Sequence, residues 1–167
     1  MDQPQSVRRT NSSRPAVELD DIDRMLIALL TEDSRTTNAA LAEKAGIAQS
    51  TCLARVRSLI SRGIITGFTT IIDPARVDLR LQALISVAIR AGARAHIPEF
   101  EHDVSTLPQV VQCFFVGGAE DFVLHVAVRD SDDLRDFVLD HLSAHPAVAS
   151  TRTSVVFTHS RQGPVVP

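Results

Sequence analysis

Residues 36–68 read TTNAALAEKAGIAQSTCLARVRSLISRGIITGF and contain two helical patterns separated by a glycine. Leu41 and Ala45 fall on one face of a short first helix, and Gly46 is the residue type that most readily adopts the positive φ of a helix end. A second helix is predicted from about Gln49 to Arg62. Its inward-facing residues are expected to be Cys52, Val56, Leu59 and Ile60. Two short helices joined by a glycine turn predict a helix-turn-helix.

A third helix precedes this motif, and an extended segment follows it. The apolar residues that recur at helical spacing before the motif are Ile22, Leu26, Leu29 and Leu30. Asp20 and Asp21 stand where side-chain oxygens cap a helix and where its dipole favours negative charge. Gly63 ends the second helix of the motif, and residues 64–72 have a β-rich composition typical of a wing. Residues 17–73 are therefore predicted to form a winged helix-turn-helix.

After a linker at residues 74–81, the hydrophobic pattern changes from purely helical spacing to a mixture of strand and helix spacing. Strands are predicted at 82–90, 110–116, 121–128 and 148–157, and helices at 96–107 and from a capping Ser131 to just before Pro146. The order βαββαβ is that of a ferredoxin-like sandwich, expected over residues 82–158. The fold class is α+β, with the winged helix-turn-helix joined to this second domain by a β linker.

Both ends of the chain lack hydrophobic periodicity. Residues 1–16 are rich in Ser, Pro, Asn and Arg, which predicts a disordered basic arm. The arm is either a solvated tail or a segment that touches DNA, and the sequence leaves both readings open. Residues 159–167 are expected to form a loose tail.

The composition excludes several classes of protein. The 167 residues contain no apolar run near the ~18 residues that a membrane span needs, and residues 1–16 have no apolar core of a secretory signal. Two cysteines, Cys52 and Cys113, do not make a disulfide framework, so a reducing cytoplasm is expected.

The formal net charge of −3 conceals an uneven distribution. Residues 1–73 hold nine basic and nine acidic side chains, so the excess acid lies in the remainder of the chain. Residues 44–72 contain no acid at all and carry four cations, Lys44, Arg55, Arg57 and Arg62. This acid-free segment covers the turn, the second helix of the motif and the wing. Its charge favours DNA as the partner.

Helical spacing places polar side chains of that second helix on two neighbouring stripes. Thr51, Arg55, Ser58 and Arg62 are expected on one exposed stripe, and Ser50, Ala54 and Arg57 on the next. Short polar groups reach base edges, while arginines reach phosphates or guanine. The residues predicted to contact DNA are Gln49, Ser50, Thr51, Arg55, Arg57, Ser58 and Arg62. The alternative is a solvated amphipathic helix whose charges have no specific partner.

These residues carry a resemblance to a known family. LDDIDRMLIALLTEDSRTTNAALAEKAGI, RVRSLISRGIITGF, VVQCFFVGGAEDFVLHV and HPAVASTRTSVVF together resemble the Lrp/AsnC (feast/famine) transcription regulators over about residues 19–158. The resemblance implies a transcriptional regulator of amino-acid metabolism, with a DNA-binding domain and an amino-acid-sensing domain. It also implies homodimers that assemble further, with an octamer as the expected form, acting on palindromic double-stranded operators and associated with the nucleoid.

The resemblance also assigns an effector loop between the second and third strands. Its expected residues are Val116, Gly117, Gly118, Ala119, Glu120, Asp121 and Phe122, with Thr151 and Thr153 nearby on the last strand. Glycines let backbone N–H groups approach a carboxylate, and Asp121 is placed to accept an α-ammonium group. The alternatives are an ordinary hairpin turn at the glycines and plain β propensity at the threonines.

Two positions depart from the family pattern. Ala48 stands where the family usually has a serine cap, which costs ~1 kcal/mol unless another group compensates. Asp78 stands in the linker where the family often has glycine.

Catalysis and metal binding have little support in the sequence. His141 and His145 have an i, i+4 spacing that could place two imidazoles on one metal, but a solvated helix end fits better because no ligand set is complete. No motif of a known nucleophile or phosphate loop is present. We therefore expect no enzyme activity and no cofactor, only an amino-acid effector. The alternatives are an enzyme resembling the siroheme decarboxylases of the same superfamily and a stand-alone amino-acid sensor.

Overall fold

The computed structural model describes residues 18–160, whose two compact units contain residues 18–71 and 72–159. The predicted arm at residues 1–16 and most of the predicted tail lie outside the described residues. The domain boundaries drawn from the sequence stay a prediction.

The first unit is a bundle of three helices. Helix α1 spans Asp21–Glu32, α2 spans Asn38–Ala45 and α3 spans Gln49–Ser61. Asp20 caps α1 by accepting a hydrogen bond from the Asp23 backbone N–H at 2.8 Å. Gly46 ends α2 with φ of +65°, as the sequence predicts. The buried core contains Leu26, Leu41, Ala42, Ala45, Cys52 and Leu59.

Two expectations for this unit are wrong. Ile60 is 45% exposed, because eight residues of helix place it about 80° around α3 from the buried Cys52. Within the described residues, the predicted wing at 64–72 contains no strand. A strand needs a neighbour to complete its hydrogen-bond ladder, and no described strand pairs with this segment. Its apolar side chains Phe68, Ile71 and Ile72 are exposed.

The linker makes a short turn at the start of the second unit. A 3₁₀ turn spans Pro74–Val77, and Asp73 caps it by accepting from the Ala75 backbone N–H at 3.0 Å. Asp78 follows with φ of +65°, a conformation that favours glycine and that aspartate tolerates. The backbone at position 78 is therefore left-handed although aspartate stands where the family often has glycine.

The second unit is a four-stranded sheet with helices on one face. The strands are β1 Leu81–Ile89, β2 Val110–Phe115, β3 Phe122–Val128 and β4 Val148–Val156. All neighbours pair antiparallel in the order β2-β3-β1-β4. Helix α4 spans Ile97–Ser105 after a 3₁₀ turn at Ala91–His96, and α5 spans Ser131–Phe137, continued by a π-helical turn at Val138–Ser143. The predicted ferredoxin-like fold is confirmed.

Alternation along β1 divides this sheet into a helix-covered face and an open face, where Leu84 is exposed, although His125 and Ala127 of the central strand β3 are buried on the open face as well. On β1, Ala83, Ile85, Val87 and Ile89 are buried, and on β3 so are Phe122, Leu124, Val126 and Val128. Phe100 and Val104 of α4 pack into the same core. The cap of α5 differs from the prediction. Asp130, rather than Ser131, accepts from the backbone N–H groups of Asp132 and Asp133, because Ser131 is already the first helical residue.

The missing cap of α3 gives a stability prediction. Ala48 is the N-cap residue and provides no side-chain hydrogen bond. We expect Ala48→Ser to raise the free energy of unfolding by about 1 kcal/mol, because a serine oxygen would accept from a free N–H group of the first turn. Far-UV circular dichroism during urea unfolding measures the change.

The matched control is Ala54→Ser, the same change in the interior of α3. Serine has a lower helix propensity than alanine, so this variant should lose about 0.5 kcal/mol. Equal effects of the two variants would contradict the capping argument.

Candidate DNA-binding surface and ligand loop

A buried carboxylate lies between α1 and α3 in the first unit. Asp23 of α1 is 6% exposed, and its Oδ1 atom accepts a hydrogen bond from Arg55 Nη1 of α3 at 2.9 Å. The same Arg55 nitrogen donates to Asp20 Oδ2 at 2.6 Å. Burial of a carboxylate is tolerated when charged donors satisfy its oxygens. Arg55 therefore joins the middle of α3 to the start of α1.

Arg62 makes a second connection from the end of α3. Its Nη2 atom donates to the Glu18 carbonyl oxygen at 2.7 Å, and its Nη1 atom lies 3.6 Å from Asp23 Oδ2. We call Asp20, Asp23, Arg55 and Arg62 the arginine–aspartate cluster. It attaches both the middle and the end of α3 to the segment around the start of α1.

The cluster depends on pH through Asp20. The Asp23 backbone N–H and then the Arg55 guanidinium hold the pKa of Asp20 below its ordinary value of 3.8. Because the folded-state pKa is depressed, this carboxylate stabilises the fold above its unfolded pKa. The contribution is lost as the pH falls through the folded-state value.

The cluster corrects the predicted exposed stripe of α3. The side chains of Arg55 and Arg62 are each 33% exposed, and Ser58 between them is half-buried. The stripe lies next to the apolar stripe of α3 rather than opposite it, so α1 partly covers it. Acidic residues on α1, outside the acid-free segment, bind its two arginines. Of the four residues in the predicted stripe, Thr51 alone is exposed and outside the cluster.

The neighbouring stripe faces away from the core. Ser50, Leu53, Ala54 and Arg57 are all exposed, and we call them the outer face of α3. Within residues 18–160, the Arg57 guanidinium has no hydrogen-bond or ion-pair partner. Leu53 is 41% exposed, and the pattern of polar residues along the helix does not indicate it as a contact because it is apolar. The outer face presents one cation, one hydroxyl and two apolar side chains to solvent.

The start of α3 is fixed by α2. Asn38 Nδ2 donates to the Gln49 carbonyl oxygen at 2.9 Å, which joins the first residues of the two helices. Gln49, Ser50 and Thr51 are exposed there, with no side-chain cap preceding them. These three predicted contact residues therefore share one accessible helix end.

In the second unit, the predicted effector loop is closed by backbone hydrogen bonds. The Val116 N–H donates to the Asp121 carbonyl oxygen, and the Asp121 N–H donates to the Val87 carbonyl oxygen, each at 2.9 Å. Gly118 has φ of +152°, which other residues rarely adopt. Among the described residues, the backbone N–H groups of residues 117–119 have no partner. The loop thus presents free N–H donors at the end of β2.

The Asp121 carboxylate already has partners within the unit. Its Oδ2 atom accepts from the Ile89 backbone N–H at 2.7 Å, and its Oδ1 atom lies 3.3 Å from Arg94 Nη2. The side chain is 13% exposed. Asp121 therefore fastens the loop to the end of β1, a role that its sequence position does not reveal.

The other predicted loop residues divide between surface and core. Glu120 forms an ion pair with Arg152 of β4. The Phe122 ring is buried against Phe100, with ring centroids 5.0 Å apart. In β4, Thr151 is half-buried, whereas Thr153 is exposed. They pair with Val87 and Ile85 of β1, so both threonines share one face of the sheet.

Metal binding finds no support in the part of the chain described. Residues 18–160 contain no group of three or more His, Cys, Asp or Glu side chains arranged to hold a metal ion. His125 is buried and hydrogen-bonded to Gln82 Oε1 at 2.9 Å. Burial, with a smaller effect of Glu101, raises the pKa of Cys113 to about 11, which leaves its thiol unreactive at neutral pH.

No described helix has the length and apolarity to cross a membrane.

The arginine–aspartate cluster yields a prediction about folding. Asp23→Asn keeps the size of the side chain but removes the charge that Arg55 and Arg62 share. We expect the free energy of unfolding to fall by roughly 1.5–3 kcal/mol, as for hydrogen bonds to charged groups. The measurement is the urea midpoint of the helical circular dichroism signal.

Asp21→Asn is the matched control, because Asp21 lies on the same helix with a fully exposed side chain. It should change stability by about 0.5 kcal/mol or less. An Asp23→Asn variant as stable as this control would show that the cluster does not hold the unit together.

Two families match this chain, one for each unit. Residues 19–66 match a winged helix-turn-helix DNA-binding family, and residues 82–166 match the Lrp/AsnC ligand binding domain. The regulator AldR of Mycolicibacterium smegmatis is 51% identical over 146 residues, which cover 87% of this chain and 85% of AldR.

Solved structures agree with these matches. The crystal structure of AldR from Mycobacterium tuberculosis aligns with a TM-score of 0.78 and 44% identity, covering 90% of this chain and 99% of that one. A Neisseria meningitidis transcriptional regulator, solved as an L-Met complex, aligns with a TM-score of 0.83 and 32% identity, covering 90% of this chain and 97% of that one. The fold of both units and the similarity to these relatives show that the chain belongs to the Lrp/AsnC family of DNA-binding transcriptional regulators.

Proposed function

We propose that this regulator reads DNA through the outer face of α3 and the exposed start of that helix. The observation that carries the proposal is Arg57, which has no hydrogen-bond or ion-pair partner within residues 18–160 and lies, like Ser50, on the face of α3 that points away from the core. The acid-free segment 44–72 around it keeps repulsion of phosphates low. Arg55 and Arg62 act in this proposal as positioning residues. Gln49, Thr51 and Ser58 border the contact.

Removing Arg57 should weaken DNA binding directly. For Arg57→Ala we expect a loss of operator affinity of about 1–3 kcal/mol, roughly 5- to 150-fold, because the side chain contacts a base or a phosphate. Gel shifts of the full chain with a duplex enriched from a random library provide the measurement. Repeating them over a range of salt shows a slope smaller by about one if the contact is a phosphate.

Two comparison variants separate contact from positioning. Arg135→Ala removes an exposed arginine of the second unit and should leave affinity unchanged. Arg55→Ala should weaken binding through the arginine–aspartate cluster while leaving the salt slope as in the unmodified chain. A reduced slope for Arg55→Ala with a normal slope for Arg57→Ala would reverse the two assignments.

The loop at residues 116–122 is the proposed site for an amino-acid effector. The N–H groups of residues 117–119, which have no partner in the described part of the chain, suit an α-carboxylate, and the glycines allow close approach of the ligand to the backbone. The L-Met complex of the Neisseria meningitidis relative supports a ligand of this class. Asp121 holds the loop in place and offers its remaining lone pairs to an α-ammonium group. Thr151 and Thr153 complete the proposed site.

A thermal-shift panel of the twenty amino acids tests this site. An amino acid that binds the folded chain raises its melting temperature according to its excess over the dissociation constant. We expect at least one amino acid to stabilise the unmodified chain, and Asp121→Ala and Gly118→Ala to abolish that stabilisation. Alanine at position 118 would adopt an unfavourable φ of +152° and so distort the loop.

Gly92→Ala is the control, because its added Cβ meets no atom within 4 Å and its φ is ordinary. This variant should keep the full shift. An effector shift that persists in both loop variants would place the amino acid elsewhere.

Oligomers are the last part of the proposal. Two copies of α3 facing a palindromic operator require at least a dimer, and an octamer is the expected form. Strand β1 is central in the sheet, so it can contact a second copy through side chains of the open face, where Leu84 is exposed, but not through its edges. The exposed apolar residues at 68–72 offer further contact area. Effector binding would favour one assembly over another, in the cytoplasm and on the nucleoid.

A further inference from the structure

Leu53 is an apolar side chain in the middle of a proposed DNA-contacting surface. It is 41% exposed, although α3 has a buried stripe that could accommodate leucine. Ala54 follows it on the outer face, and Arg57 lies one turn further along the same side. The side chain is fixed close to the start of the helix, where recognition helices approach base edges.

The chemistry of the major groove gives such a residue a partner. Thymine alone of the four bases carries a C5-methyl group there, and apolar side chains contact it. Guanine offers the O6 and N7 acceptors that an arginine binds in bidentate fashion. An apolar pair next to Arg57, which has no partner among residues 18–160, is therefore complementary to thymine methyl groups close to a guanine. The absence of acids between residues 44 and 72 also disfavours recognition of the cytosine amino group through a carboxylate.

We infer that Leu53, with Ala54, reads thymine C5-methyl groups in each half-site and is a specificity-determining residue of this regulator. The inference rests on the proposed DNA-reading role of the outer face and adds the chemical feature of the operator that this face recognises.

Replacing single thymines by deoxyuridine tests the inference, because this change removes only the methyl group. The probe is the duplex enriched from a random library by the full chain, with each thymine replaced in turn. We expect at least one replacement per half-site to lower affinity about fourfold, the effect of one buried methyl group. In Leu53→Ala the same replacement should change affinity by about twofold or less, because the side chain that buried the methyl is gone.

Two further variants control this experiment. Leu53→Met keeps an apolar side chain of similar volume and should retain the sensitivity to uracil. Ile60→Ala removes an exposed apolar residue seven positions later, about 10 Å along the helix axis, and should retain it as well. Because both Leu53 and Ile60 are exposed, neither alanine variant removes core packing.

The outcomes distinguish this inference from the proposal on which it rests. A random library that yields no enriched duplex would overturn both. An enriched duplex that Arg57→Ala weakens, but whose affinity is the same with uracil at every position, would overturn the methyl reading alone. Uracil sensitivity that persists in Leu53→Ala and disappears in Ile60→Ala would assign the methyl contact to Ile60 and equally overturn it.

Discussion

The geometry of the first unit depends on the ionic contact between the buried Asp23 carboxylate and two arginines of α3. Helix α3 has only Cys52 and Leu59 fully buried, so apolar packing alone gives it a narrow attachment. Arg55 and Arg62 add contacts to the start of α1 at the middle and the end of the helix. Charged hydrogen bonds are directional, so they fix the rotation of the helix about its axis as well as its distance. That rotation decides which stripe of α3 faces outward.

A similar arrangement recurs in the second unit. The Asp121 carboxylate accepts from the Ile89 N–H and pairs with Arg94, and these bonds hold the glycine loop against the end of β1. In both units a carboxylate that looks available in the sequence is bound within its own unit. Within the described part of the chain, the groups without a partner are Arg57 in one unit and the backbone N–H groups of residues 117–119 in the other, and each carboxylate positions the element that carries them. Neutralising a carboxylate that is bound in this way should therefore lower the free energy of unfolding by more than neutralising a carboxylate on the surface.

Periodicity predicted most of this fold. The stripes of Leu26, Leu41 and Leu59, the glycine turn at Gly46 and the alternation along β1 depend on local spacing, which the sequence contains directly. What it could not predict is which polar residues pair across elements. Arg55 and Asp23 are 32 positions apart, so their hydrogen bond depends on how α1 packs against α3. For the same reason the sequence does not reveal the partners of Asp121 or the exposure of Leu53 and Ile60, which depend on how neighbouring elements pack. The wing was predicted from β propensity, which does not supply the neighbouring strand that a ladder needs.

Of the three arginines in residues 49–62, Arg55 and Arg62 contact Asp23, whereas Arg57 lies on the outer face of α3. Arginine side-chain NMR tests these three positions in one experiment, because each Nε–Hε group gives its own signal. Adding the enriched operator duplex to the labelled full chain should shift and protect the Arg57 signal, while the Arg55 and Arg62 signals keep their positions in the arginine–aspartate cluster. Large shifts of the Arg55 and Arg62 signals with an unchanged Arg57 signal would contradict the roles assigned to these arginines.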